Sequence, residues 1–344
     1  MKPTRTLLVT GGAGFIGSSF VEMALGRGHR VVVLDALTYA GHRESLPVHD
    51  ACRLVVGNIA DAPLVGALLR EERVDAVVNF AAESHVDRSI DAPGDFIETN
   101  VVGTFKMLHA SLDYWRSLAP DASGAFRYLQ VSTDEVYGAL GETGKFTEAS
   151  PMTPNSPYAA SKAAGDHLVR AWNHTFGLPT ITTNCSNNYG PRQHPEKLIP
   201  HLVTCALAGK PLPIYGNGGN TRDWIHVEDH CAGIFLALEK GKLGETYCFG
   251  GDAERKNLDV AQQICAILDR LRPRQDGESY AKQLTFVADR LGHDWRYAID
   301  DTVAQKELGF ARRYRFEDGL EATVEWYLDH RQWCELALAP REKR

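Results

Sequence analysis

An apolar pentapeptide, TLLVT at 6–10, runs directly into the glycine-rich stretch GGAGFIG. Gly12, Gly14 and Gly17 fit the spacing G-x-G-x-x-G between a strand-like run and a helical pattern. Gly11 and Gly12 permit a tight turn, Gly14 lets the backbone approach a pyrophosphate, and Gly17 lets the helix pack closely on the strand. The helix N-terminus then faces the phosphate charge. Alone, the glycine pattern is weak, because glycine turns are common. It gains from Asp35, which closes the second strand-like run about twenty residues on, where a carboxylate can accept both hydroxyls of an adenosine ribose. A carboxylate there repels a 2′-phosphate, and no Arg or Lys follows until Arg43. NAD is therefore expected rather than NADP.

The rest of the first half keeps the same rhythm. Strand candidates at 6–10, 30–35, 53–58, 76–81 and 126–133 alternate with helical patterns at 15–27, 61–72, 93–117 and 157–176. Further strand candidates lie at 180–185 and 245–250. Near-continuous apolar strands separated by amphipathic helices predict an α/β fold: a Rossmann-like, doubly wound parallel sheet covered on both faces. Past Gly190 proline and glycine become more frequent. We expect residues 1–190 to form the nucleotide-binding domain with the catalytic residues. Residues 191–344 are expected to form mostly a smaller substrate-binding lobe, with segments returning to the sheet. The tail PREKR (340–344) is expected to fray.

Length and charge limit the partners. A chain of 344 residues supports one large or two modest cores. The 44 acidic residues exceed the 37 basic ones, giving a formal charge of −7 without a basic block, so nucleic acid and anionic membranes are not expected partners. No apolar run approaches the roughly 20 residues a bilayer span needs, and the N-terminus lacks a signal-peptide pattern. The seven cysteines are odd in number and form no CxxC pair, which favours free thiols in a reducing, cytoplasmic setting. No His/Cys cluster has metal-ligand spacing, so no metal is implied.

Two further groupings carry chemistry. Tyr158 and Lys162 stand at i, i+4 in PYAASKA, on one helix face. A nearby ammonium stabilises a phenolate and brings a tyrosine toward work as a base. Thr133, ending a sheet strand, is placed to hydrogen-bond a substrate oxygen. In VSTDEVYG it is followed by Asp134 and Glu135, at the carboxyl end of the strand, where open α/β sheets bind ligands. A base and an acid side by side suit a step that removes a carbon-bound proton and expels water. Acidic residues decorating a helix N-terminus are the plainer alternative.

Together, the glycine turn and the Thr–Tyr–Lys set resemble the extended branch of the short-chain dehydrogenase/reductase family. The succession GGAGFIG, LDALTYAG, FAAESHVDRS, VSTDEVYG, PYAASKA, NNYGPRQHPEKLIP, NTRDWIHVEDH, NLDV and DRLGHDWRYAID, spanning 6–335, resembles the dTDP-glucose 4,6-dehydratases within it. The resemblance implies that Tyr158 takes the O4 proton while hydride passes from C4 of glucose to NAD. Glu135 would then remove the C5 proton and Asp134 protonate the departing C6 hydroxyl. Return of the hydride to C6 would give dTDP-4-keto-6-deoxyglucose.

By the same resemblance, the cofactor is contacted by Phe15, Ile16, Asp35, Leu37, Thr38, Asn58, Ile59, Ala81, Ala82, Ser84, Thr99, Tyr158, Lys162 and Asn188, beside the glycines Gly11, Gly14 and Gly17. The nucleotide sugar is contacted by Ser84, Thr133, Asn187, Lys197, Leu198, Pro213, Tyr215, Arg222, Asn257, Arg290 and His293. Arg222 is the natural diphosphate partner, since a guanidinium engages two oxygens at once. Asn58 replaces the family's usual Asp, Leu291 its proline and Trp295 its arginine. The resemblance also implies a homodimer through a four-helix interface built from 93–117 and 157–176. The competing expectations are a dehydratase for a UDP-sugar, a nucleotide-sugar 4-epimerase, and a non-catalytic NAD-binding protein.

Overall fold

The computed structural model describes residues 4–339, so the PREKR tail lies outside the described residues. Seven parallel strands form the main sheet: β1 (Thr6–Thr10), β2 (Arg30–Asp35), β3 (Cys52–Val56), β4 (Ala76–Asn79), β5 (Arg127–Val131), β6 (Thr180–Cys185) and β10 (Thr246–Phe249). Their order is β10-β6-β5-β4-β1-β2-β3. Five further strands sit outside it. β7 (Asn187–Tyr189), β9 (Thr221–His226) and β11 (Glu254–Lys256) make a three-stranded sheet, and β8 (Leu212–Tyr215) pairs with β12 (Leu284–Val287).

Side-chain alternation along the strands explains the double winding. Leu7, Val9, Val31 and Val33 point to one face, where they meet Phe20, Val21, Ile234 and Phe235 of helices Phe15–Gly26 and Val227–Lys240. Leu8, Val32 and Leu34 point to the other, against Val65, Leu68, Met107, Leu108 and Val169. Each such buried side chain stabilises the fold by about 1.5–3 kcal/mol relative to exposure, and both faces are thereby closed to water. A separate core fills the lobe. There Ile199, Leu202, Val260, Ile264, Leu320 and Val324 of three helices pack around Tyr189 and Trp224. The chain reaches this lobe after β6 and returns to the main sheet at β10.

The order reverses between β1 and β4, which places a crevice at their carboxyl ends. The helix over that crevice, Pro157–Phe176, begins with the Ser156 hydroxyl accepting from the Ala159 amide (3.1 Å) and Pro157 at its first turn. It stops at Gly177, whose φ of 73° is left-handed.

The helix expected over 93–117 is not continuous. It runs as Pro93–Phe96, then a π-helical stretch Ile97–Gly103, then Thr104–Ser117. The widened turn draws Asn100 inward. Its Oδ1 accepts from the Glu83 amide (2.9 Å), and its Nδ2 donates to the Glu83 carbonyl (2.9 Å) and to Ser161 Oγ (2.8 Å). Three bonds from one buried amide offset the irregular backbone. Among the described residues no helix is long and apolar enough to cross a membrane.

Candidate active site

The crevice is an elongated cleft. At one end the turn after β1 closes on itself so tightly that a Cβ on Gly17 would lie 2.2 Å from the Gly11 carbonyl oxygen. A Cβ on Gly11 would lie 2.7 Å from the Ala81 amide. No other residue fits either position. Asp35 Oδ2 accepts from the Ala13 amide (2.9 Å) and Oδ1 from the Leu37 amide (2.8 Å), which binds the carboxylate to the glycine turn. Leu37 itself is left-handed, with φ 50°, a strained turn of the kind found at ligand sites.

Of the residues expected to touch the cofactor, Gly11, Gly14, Phe15, Ile16, Gly17, Asp35, Thr38, Asn58, Ile59, Ala81, Ala82, Ser84, Thr99, Tyr158 and Lys162 all line this one cleft. Leu37 and Asn188 do not. Asn188 is occupied elsewhere, donating to Cys185 Sγ (3.2 Å) and the Ser186 carbonyl (3.1 Å), with its Oδ1 2.9 Å from His230 Nδ1. Asn58 Oδ1 accepts from the Ala60 amide (2.8 Å), so part of its acceptor capacity is already used in its own turn. The wall also includes Tyr39, Gln193, His194 and Glu196, which the sequence reading did not single out. They come from two segments far apart in the chain. The nearest signal for the last three was their place in GPRQHPEKLIP, beside Lys197.

Val131 and Ser132 also line the cleft, and Thr133, Asp134 and Glu135 follow them in the chain without lining it themselves. The Thr133 hydroxyl accepts from the Glu135 amide (3.3 Å) and donates to Asp134 Oδ1 (3.4 Å), opening the one-turn helix Asp134–Tyr137. The two carboxyls sit in different fields. Asp134 is pushed well above the ordinary carboxylate range by burial, then by the charges of Glu135 and Asp223. Burial raises Glu135 too, but Arg290, Arg222 and Lys197 all oppose the rise. Both carboxyls are raised, but three cations oppose the rise at Glu135 and one, Arg222, at Asp134.

Tyr158 is pushed well above its ordinary value by burial, with Glu135 and Cys185 adding to the rise and a hydrogen bond with Thr133 lowering it. Lys162 turns its Nζ to the Val131 carbonyl of β5 (2.7 Å), and burial lowers its pKa. The geometry therefore ties the ammonium first to the strand, where the i, i+4 spacing suggested a partner for the phenol.

The lobe supplies cations. Arg222, on β9, donates to the carbonyls of Thr221 (2.8 Å), Asp294 (3.0 Å) and Trp295 (3.5 Å), with its guanidinium 4.4 Å from the Tyr297 ring centre. Lys197 Nζ donates to the Ser84 carbonyl (2.9 Å). Arg290 lies 3.5 Å from Asp87, which also accepts from the Tyr215 hydroxyl (3.4 Å). His293 meets Asp289 at 2.6 Å and faces the Tyr215 ring. Pro213 lies mid-β8, Leu198 begins helix Leu198–Leu207, Asn187 begins β7 and Asn257 begins helix Asn257–Leu271. Of these residues, Asp134 Oδ2, Asn187 Oδ1, Asn257 Oδ1 and Arg290 Nε are buried without a hydrogen-bond partner.

The family model for GDP-mannose 4,6 dehydratase matches residues 8–323. A dTDP-glucose 4,6-dehydratase of Xanthomonas campestris pv. campestris is 58% identical over 333 residues, covering 96% of this chain and 95% of the relative. The chain belongs to the dTDP-glucose 4,6-dehydratase family. A second member, from Escherichia coli K12, is 51% identical, covering 96% and 94% of the two chains. The crystal structure of the family member from Streptomyces venezuelae, with NAD and dTDP bound, superposes with a TM-score of 0.87. It is 47% identical and covers 96% of this chain and 99% of its own. The family's fold is thus present over nearly the whole chain.

Proposed function

We propose that the chain is an NAD-dependent dTDP-glucose 4,6-dehydratase whose proton transfers are divided between Tyr158, Glu135 and Asp134. The cleft fits the cofactor. Its glycine turn leaves room only for backbone approach, Asp35 stands at the adenosine end, and Tyr158 and Lys162 stand at the other. The residues that line the cleft would hold NAD, which when bound would supply a reversible hydride acceptor for the sugar and positive charge to this pocket.

Everything else falls to the chain's own side chains. Arg222, Lys197 and Arg290 hold the diphosphate and fix the sugar. As a phenolate, which the positive charge of bound NAD would favour against the burial that raises it, Tyr158, hydrogen-bonded with Thr133, accepts the O4 proton as the 4-ketone forms. That ketone acidifies C5–H, which Glu135 removes, and Asp134 protonates the C6 oxygen as it leaves as water. The observation that supports this reading is the contrast between the two adjacent carboxyls: Glu135 and Asp223 add to the rise of Asp134, which Arg222 alone among the cations opposes, whereas Arg290, Arg222 and Lys197 all oppose the rise of Glu135.

Residues 1–190 supply the cofactor side in this reading, and most of 191–344 the nucleotide-sugar side. A homodimer is part of the proposal. Phe105 and Phe176 are exposed on helices Thr104–Ser117 and Pro157–Phe176, and both pack against Trp172 to form one aromatic strip. A second copy would cover that strip through a four-helix contact. A cytoplasmic location is in keeping with seven free cysteines. Incubation with dTDP-, UDP-, CDP- and GDP-glucose tests the reading: 4-keto-6-deoxy product from dTDP-glucose is expected, and its absence with every substrate would overturn it.

A further inference from the structure

Tyr158 and Lys162 do not exhaust the buried chemistry of their helix. One turn beyond Lys162, on the same face, stands Asp166, almost wholly buried. Its Oδ2 accepts from Ser132 Oγ (2.6 Å) and from Asn184 Nδ2 (3.4 Å), while its Oδ1 is buried without a hydrogen-bond partner. Asn184 Nδ2 also donates to the Thr133 carbonyl (2.9 Å), and Lys162 donates to the carbonyl of Val131. Three successive residues at the exit of β5 are therefore each held: Val131 by Lys162, Ser132 by Asp166, and Thr133 by Asn184, itself bonded to Asp166. These are the residues that lead into Asp134 and Glu135.

A buried carboxyl with one unsatisfied oxygen is costly unless a positive charge compensates it. The charged or titratable groups that face it are Lys162 and His167 from its own helix and Tyr137 from the turn after β5; β6 contributes the neutral Asn184. The coupling runs both ways, since Asp166 holds Lys162 up against its burial. Resting on the roles given above to Tyr158 and Lys162, we infer that Asp166 is a positioning residue of the dehydratase: ionised, it keeps Lys162 an ammonium and, through Ser132 and Asn184, fixes the strand exit that aims Thr133 and the Asp-Glu turn. Burial raises its carboxyl to about 6, so the ionised form is maintained at neutral pH against its own desolvation. A purely structural group at this place would be more stable as a neutral amide.

That difference makes the inference testable on the purified, cofactor-loaded enzyme with dTDP-glucose. Asp166→Asn is expected to lower kcat at least about tenfold, the effect of a one-unit change in a coupled group. It should leave KM within about twofold and the melting temperature unchanged or higher, and shift the acid limb of kcat. Parent kcat with an unmoved limb overturns the inference; so does a slow variant with a lowered melting temperature and an unmoved limb, which marks Asp166 as packing alone. Should Asp166→Asn not fold, Ser132→Ala decides: loss of the 2.6 Å bond should move the acid limb to higher pH, and an unmoved limb overturns the inference. Tyr158→Phe, run alongside, separates this from failure of the site reading. A fully active Tyr158→Phe removes the catalytic assignment itself, whereas an inactive Tyr158→Phe beside a parent-like Asp166→Asn removes only the role of Asp166.

Discussion

The two walls of the active site are built on opposite principles. On the sheet side the cleft is lined by backbone and small residues: Gly11, Gly14, Gly17, Ala81 and Ala82 sit at strand ends, within a few residues of one another in each turn. On the lobe side, Lys197, Arg222 and Arg290 are long charged side chains drawn from distant segments, and all three act on Glu135. The first wall is sensitive to volume, because its neighbours are main-chain atoms that cannot yield. The second is sensitive to charge. Burial lowers the pKa of both Lys197 and Arg222, a cost that a bound diphosphate would offset. One wall is therefore finished by folding, and the other by its ligand.

The largest expected effect breaks the first wall. Gly17→Val would set a side chain 2.2 Å from the Gly11 carbonyl and 2.8 Å from Gly12 Cα. Backbone on both sides leaves no relaxation, so a cost of at least about 3 kcal/mol is expected, together with loss of retained nicotinamide. Calorimetry and nicotinamide analysis of the purified protein check it; a variant that melts with the parent and keeps its cofactor would show the turn to be looser than its geometry.

Glu135→Gln probes the point where the walls meet. Glutamine keeps the shape but cannot accept the C5 proton, so turnover should fall by about 10²–10⁴. In D2O the variant should neither exchange the C5 hydrogen nor release 6-deoxy product, while oxidation at C4 persists and reduced nicotinamide absorbance builds up. Tyr158→Phe should fail earlier, without that build-up. Exchange at C5 at the parent rate in Glu135→Gln would move the base elsewhere.

Arg222→Lys tests the second wall alone. The carbonyls of Thr221, Asp294 and Trp295 fix the guanidinium plane, and an ammonium cannot reproduce that fork. Losing one or two charge-assisted bonds to the ligand amounts to about 1.5–3 kcal/mol, read as a KM for dTDP-glucose about 10–100-fold higher with cofactor content unchanged. A fall in cofactor content as well would mean that the two walls are not independent.

The same contrast explains what could be read in the chain. The glycine turn, Asp35, the Tyr158–Lys162 pair and the Thr133–Glu135 run are local spacings, and strand and helix periodicity places them at once. The π-helical stretch at Ile97–Gly103 was not legible, since its apolar pattern is also that of an unbroken helix; the bonds of Asn100 to Glu83 and Ser161 decide it, and they are tertiary. Nor did the spacing show that Lys162 would turn to Val131, because the strand it meets lies about thirty residues earlier. His194 and Glu196 reach the cleft only when the chain after β6 folds back across it, whereas Tyr39 arrives with the loop after β2. On the lobe side, Lys197, Arg222 and Arg290 could be located through resemblance, but their convergence on Glu135 is a property of the fold.

The smallest expected effect concerns the seam between the two cores. Helix Val227–Lys240 carries Val227, Ile234 and Phe235 into the sheet core, and its first residues adjoin the lobe. His226, just before it, accepts from the Glu228 amide through Nδ1 (3.3 Å) and stacks 3.7 Å from the Tyr314 ring; burial lowers its pKa to about 4. His230, one turn on, is lowered to about 3 by the same cause. Both are neutral in the fold and ordinary in the unfolded chain, near 6.5. Their contribution is therefore complete above pH 6.5 and lost as the pH falls toward 4, because the unfolded chain then binds protons the fold cannot. Protonating His226 also removes the lone pair that caps the helix. His226→Asn keeps a side-chain oxygen able to cap but cannot titrate, and it gives up the stacking on Tyr314. At pH 7 it should be less stable than the parent by about 1 kcal/mol, and between pH 6.5 and 4.5 it should lose stability less steeply, by about 1–3 kcal/mol over the interval. Urea unfolding at several pH values, followed by tryptophan fluorescence, measures both. An equal slope for variant and parent would place the acid sensitivity in the walls of the cleft rather than in the seam that joins their cores.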